Sequence, residues 1–235
     1  MKTLCRLILL LSPLICSLNA KDMHEYLNKT VELTRAGQYE EALGRHVWFH
    51  YNALEHQPSM TGVRLSFALS YWTDLGKKYP PALQKLKEIR DEKEALIQNG
   101  KGSFELFHDV SSINRELGED KRTLELFKQV VSNAPQQADR YWIVTKETAF
   151  KRKDYDLINE FVKDIDQEFR NLYSDYLRDY QMFKEESHRN WARTRFAAES
   201  KQLADLATYN GDESLAAKIT ERSEKALKSK DGIIE

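Results

Sequence analysis

The chain has 235 residues, 31% charged and 41% hydrophobic, with only 9 Gly and 5 Pro. Glycine plus proline come to roughly 6%, about half the usual share, and so few turn-formers disfavour a β-sandwich or barrel. Lysine and arginine number 36 against 37 aspartate and glutamate, a formal charge of -1, and without a basic excess nucleic acid is not an expected partner.

Residues 1–20 read MKTLCRLILLLSPLICSLNA. Lys2 and Arg6 make a short basic start, Leu7 to Ile15 an apolar stretch, and Leu18-Asn19-Ala20 a cleavage site ending on a small residue, the pattern of a secretory signal peptide. Ser12-Pro13 interrupts the apolar stretch, and no later one approaches the roughly 20 residues of a spanning helix, so no integral membrane span is expected. The expected mature chain starts near Lys21 and is periplasmic or secreted. Cys5 and Cys16 both fall in the leader, which leaves the mature chain without a thiol, a disulfide or a cysteine metal ligand. Lipidation at Cys16 is the alternative, but Pro13-Leu14-Ile15 lacks the small residue that such signals place before the cysteine. Loss of Lys2 and Arg6 brings the balance to 34 against 37, a net of -3.

From Met23 onward apolar residues recur three and four apart, and the breaks fall at isolated glycines and prolines, which predicts helix nearly throughout. A first hairpin runs Met23 to Ala36, turns at Gly37-Gln38-Tyr39, and continues from Glu40 to about His56. The second runs from about Val63 to Leu75, turns across Gly76 to Pro80, and resumes from Pro81 to Ile97, with Pro81 as the first helical residue. The third comprises Phe104 to Leu117, a turn at Gly118, and a helix opened by Glu119-Asp120 that carries Leu124, Phe127, Val130 and Val131 and stops at Pro135. In the fourth, Trp142, Thr145, Ala149, Tyr155, Ile158, Val162 and Ile165 follow about 35 residues after Phe107, Val110, Asn114, Asp120, Thr123, Phe127 and Val130; a helical hairpin at that period marks a stacked helical repeat. Arg170 to Asn190 is an aromatic stripe without glycine or proline, which either extends the preceding helix or pairs with the next. A last hairpin takes Phe196 to Tyr209 and Glu213 to Leu227 around Asn210-Gly211-Asp212, and residues 228–235 read as a flexible tail.

The stretch Ala36-Gly37-Gln38-Tyr39-Glu40-Glu41-Ala42-Leu43 resembles the inter-helix turn of the tetratricopeptide repeat family. Ala53 and Pro58 are similar to that family's closing alanine and proline, and Trp142, Gly118, Phe127 and Pro135 to its opening aromatic, turn glycine, packing aromatic and terminal proline. Thr123 and Ile158 stand where the family has a small alanine, and Lys153 where it has a turn glycine. Between Ala42 and Ala53 lies about one extra helical turn that holds Trp48, Phe49 and Tyr51, either core or an exposed contact surface. The resemblance implies an all-α fold over residues 21–227, a right-handed α-α superhelix of about five antiparallel hairpins. It also implies a groove that binds a protein or peptide, lined by Glu105, His108, Ser112, Arg115 and Glu116 and by Arg140, Ile143, Glu147, Phe150 and Lys151. Glu105, His108, Arg115, Arg140, Glu147 and Lys151 are the expected protein-binding residues.

Catalytic signatures are sparse. The glycines are scattered singly, so no phosphate loop is formed, and the sequence has no Gly-x-Ser-x-Gly nucleophile elbow. His46 and His50 have a metal-ligand spacing, but Val47 stands where a general base would be, and two histidines edging an aromatic cluster account for the pattern; no cofactor or metal is expected. The reading is a non-catalytic exported adaptor. Its alternative is a helical hydrolase or lyase of cell-envelope polymer, with a carboxylate general acid and Trp48, Tyr51 or Trp191 stacking on sugar; a deep pocket holding a carboxylate of raised pKa would mark it.

Overall fold

The computed structural model describes residues 22–229 and Ile233, so the expected leader and most of the expected tail lie outside the described residues. The fold is all-α: α1 Met23–Arg35, α2 Tyr39–His56, α3 Thr61–Arg64, α4 Phe67–Lys78, α5 Pro80–Leu96, α6 Phe104–Leu117, α7 Asp120–Asn133, α8 Pro135–Arg152, α9 Tyr155–Phe161, α10 Ile165–Met182, α11 Glu186–Tyr209 and α12 Glu213–Lys228. No strand occurs among the described residues. Contacts divide the chain into two compact units, up to Arg90 and from Asp91 onward, the division falling within α5.

Local chemistry sets the helix ends. Asp22, Ser103, Asp164 and Asp212 each cap a helix start, accepting from the backbone N–H of His24, Leu106, Gln167 and Leu215 at 2.8, 3.2, 2.8 and 2.9 Å. Each satisfies a donor that the helix itself leaves open. Gly37, Gly118 and Gly211 take φ of 78°, 71° and 80° at the turns after α1, α6 and α11, where a side chain would be strained.

In the first unit α1 packs on α2 and α2 on α4. Met23, Tyr26, Leu27, Phe49, Ala53, Met60 and Ala68 form one apolar cluster. Trp72 is 1% exposed, and its indole N–H donates to the Ala82 carbonyl at 2.9 Å, which ties α4 to α5. The extra turn of α2 divides its aromatics: Phe49 is buried, Trp48 lies half-buried 4.7 Å from the Tyr26 ring, and Tyr51 faces outward.

Three expectations for this unit differ from the structure. Gly76 is not a turn residue; it is buried within α4, where an added Cβ would stand 2.9 Å from the Leu83 Cβ. It lets α4 and α5 approach, and Tyr79 alone separates them. Helix α5 begins at Pro80, so Pro81 is its second residue, and the stretch from Val63 is broken into α3 and α4.

The second unit holds the end of α5 and helices α6 to α12 around one apolar cluster that runs from Ile97 to Ala226. Phe107, Val110, Phe127, Ala149 and Ile158, read from the three-and-four spacing, are all at its centre. The Asn114 amide donates to the Thr123 hydroxyl at 3.1 Å, a buried bond between α6 and α7 at the position where the family pattern has alanine. Lys153 closes α8 at φ 55°. Helix α9 is only seven residues long and ends at Phe161, so Val162 and Ile165 do not continue it. Arg170 to Met182 belongs to α10, which pairs with α11. Tyr180 meets Arg193 at 2.7 Å and Tyr176 stacks on Phe196 at 4.4 Å, the order of an antiparallel pair.

Candidate functional site

The six expected binding residues are all in the second unit and lie on α6 and α8. At the start of these helices three of them meet. Arg140 donates to Glu105 at 3.3 Å, its guanidinium sits 4.7 Å from the Phe104 ring, and Phe104 packs on His108 at 5.5 Å. The Glu105 carboxyl is held below its ordinary range by its own backbone N–H and by Ser103 at the helix N-terminus, with Arg140 a smaller contributor. Farther along, Arg115 faces Glu116 at 3.9 Å. Lys151 reaches back to Asp120 at 2.7 Å and ties the end of α8 to the start of α7. Glu147 stands apart from the other five.

Glu147 lines a cleft of about 530 Å³ between α8, α10 and α11, a volume within the ordinary range of ligand pockets. Each wall is one helical face: Ile143, Lys146, Glu147 and Phe150 from α8, Glu168, Asn171, Leu172 and Asp175 from α10, and Arg195, Glu199, Gln202 and Leu203 from α11. Spacings of three, four and seven residues put each set on one side of its helix. The shortness of α9 brings α10 back to α8, and Lys146 of α8 pairs with Glu168 of α10.

Phe150 and Leu203 form a buried apolar floor, at 6% and 5% exposure, whereas Ile143 at the mouth is 71% exposed. Four carboxylates face two cations in this lining. Both cations are already engaged, Lys146 by Glu168 and Arg195 by Glu199 at 2.8 Å and Asp179 at 3.6 Å. Asp175 is held by Arg178 at 2.8 Å. Glu147 alone of the four carboxylates has no ion pair or hydrogen bond among the described residues. The cleft thus offers an apolar floor, an exposed isoleucine and an uncompensated negative charge.

Sequence reasoning found only the α8 wall, as Ile143, Glu147 and Phe150. It missed Lys146 and the walls from α10 and α11, because the pairing of α10 cannot be read where neither glycine nor proline punctuates the chain. The recurrence Glu168, Asn171, Leu172, Asp175 was the available signal.

The aromatics of the alternative reading are not gathered in this cleft. Trp48 packs on Tyr26 and His56, and Tyr51 and Trp191 are 50% and 53% exposed. Imidazoles His46 and His50 flank Trp72 instead, one stacked at 5.5 Å and the other edge-on at 6.2 Å. Burial holds the His46 pKa down to about 4, aided by the neighbouring Arg45 charge. Among the described residues no group of three or more His, Asp or Glu is placed to hold a metal ion, and no helix is long and apolar enough to cross a membrane. No protein-family model, no curated protein and no solved structure matches the chain.

Proposed function

We propose that this chain is an exported, tetratricopeptide-like adaptor that holds a segment of a partner protein in the cleft between α8, α10 and α11 and performs no chemistry on it. The observation that carries this reading is the cleft itself, where apolar and charged groups remain uncovered over a buried apolar floor. Ile143 at the mouth extends the apolar floor of Phe150 and Leu203 outward, and a concave cleft that combines apolar lining with a few polar groups is the usual form of a binding site. Export rests on the basic start, apolar stretch and Ala20 of the leader.

The test is site-specific photo-crosslinking in cells that express the full chain, with the reactive group at Ile143 or, as a control, at Lys121 on α7. The expected outcome is a discrete adduct from Ile143 alone, recovered with the processed chain outside the cytoplasm. Equal adducts from both positions, or none from Ile143, would reject the cleft as a partner site.

A further inference from the structure

We infer that the occupant of this cleft is an amphipathic helix of the partner protein, carrying a lysine or arginine one turn away from a bulky apolar residue. This rests on the adaptor reading and specifies its partner.

Charge comes first. The lining holds Glu147, Glu168, Asp175 and Glu199 against Lys146 and Arg195, an excess of two negative charges, and both cations are spent on carboxylates within the fold. An acidic segment would meet repulsion with no free cation in the lining to offset it, whereas a basic one finds Glu147 waiting. Because Glu147 already lacks a protein partner, pairing it breaks no bond within the fold, and a charge-assisted hydrogen bond there favours a cation over an anion.

Backbone chemistry decides the conformation. Every wall is the side of an α-helix, whose own N–H and C=O groups are consumed internally, so the cleft cannot extend a ladder to an extended peptide. Only Asn171 and Gln202 supply carboxamides. An extended occupant would enter with its backbone donors and acceptors largely unmatched, at a cost for each one buried. A helix brings its backbone already satisfied and lays an apolar face into such a groove. Register follows from α8: Ile143 and Glu147 are four residues apart, hence one above the other by about 6 Å. A helix lying alongside α8 matches both when its apolar anchor and its cation are also separated by one turn.

The experiment uses the full chain and two synthetic, end-capped helical peptides of about 15 residues. Both carry leucines along one stripe; one has lysine four residues from each leucine, the other glutamate. Binding is followed by fluorescence anisotropy at low and high salt. The lysine peptide is expected to bind at least about 10-fold more tightly, with the preference shrinking as salt screens it. Glu147→Lys should invert the preference, and Ile143→Ser should weaken both peptides several-fold while helical circular dichroism is retained.

Equal affinities for the two peptides, or an unchanged preference in Glu147→Lys, would overturn the inference. If Ile143→Ser still weakens both peptides in that case, the docking site survives and only the basic register is wrong. If Ile143 crosslinks fail as well, the adaptor reading falls with it.

Discussion

Lys153 is the one non-glycine residue at positive φ among the described residues, at 55°, and it stands at the turn after α8 where Gly118 serves the equivalent turn after α6. A side chain in the left-handed region crowds its own backbone at about 1 kcal/mol or more. What Lys153 gains in return is an exposed contact with Asp205 at 3.8 Å, a geometry worth little in water. Lys153→Gly should therefore stabilise the protein by roughly 0.5–1 kcal/mol despite the greater freedom of glycine when unfolded, read as a higher denaturation midpoint. A lower midpoint would show that the lysine makes a contact worth more than the strain. The position was legible in the sequence as a departure from a turn glycine. The positive φ was not, because lysine carries no mark of the conformation it is forced to adopt.

Glycine has two uses, and at the level of elements the sequence does not separate them. Gly37, Gly118 and Gly211 are turn residues, as their spacing predicts, whereas Gly76 followed by two lysines, a tyrosine and two prolines has the look of a turn and is a packing position. An added methyl there would press on the Cβ and Cα of Leu83 at 2.9 and 3.3 Å, atoms that cannot swing aside, so α4 and α5 would have to separate. Gly44, in α2, meets nothing within 4 Å. The two alanine substitutions should then have opposite signs. Gly44→Ala gains up to about 1 kcal/mol of helix propensity, while in Gly76→Ala that gain is outweighed by overpacking of about 1–3 kcal/mol. Denaturant melts of both variants check this, and a stabilised Gly76→Ala would remove the close-approach explanation. The same ambiguity accounts for α10. Its break from α11 at Phe183 to Glu185 contains neither glycine nor proline, so the helix was legible as an aromatic stripe but its partner, and with it two walls of the cleft, was not.

On the scale of the whole chain, the order of hairpins was legible and the division into two units was not, since α5 runs through the division with unbroken helical periodicity. That division has a consequence in acid. The first unit buries His46 at 1% exposure against Trp72, with both ring nitrogens lacking a hydrogen-bond partner, and burial pulls its pKa from 6.5 to about 4. The unfolded chain therefore takes up a proton at His46 near pH 6.5 that the folded unit refuses until near pH 4. Stability from this source is fully present above pH 6.5, declines between 6.5 and 4, and levels off below, with about 2 kcal/mol lost by pH 5. Carboxylates of ordinary acidity stay largely ionised at pH 5, so the loss over that range is a histidine effect. Amide hydrogen exchange, corrected for its intrinsic pH dependence, should show protection in α2 and α4 falling about 30-fold between pH 7 and 5, with α8 and α11 changing far less. His46→Phe keeps a ring against Trp72 and removes the proton site, so it should flatten the response of the first unit. An undiminished pH response in that variant would move the acid sensitivity to another group.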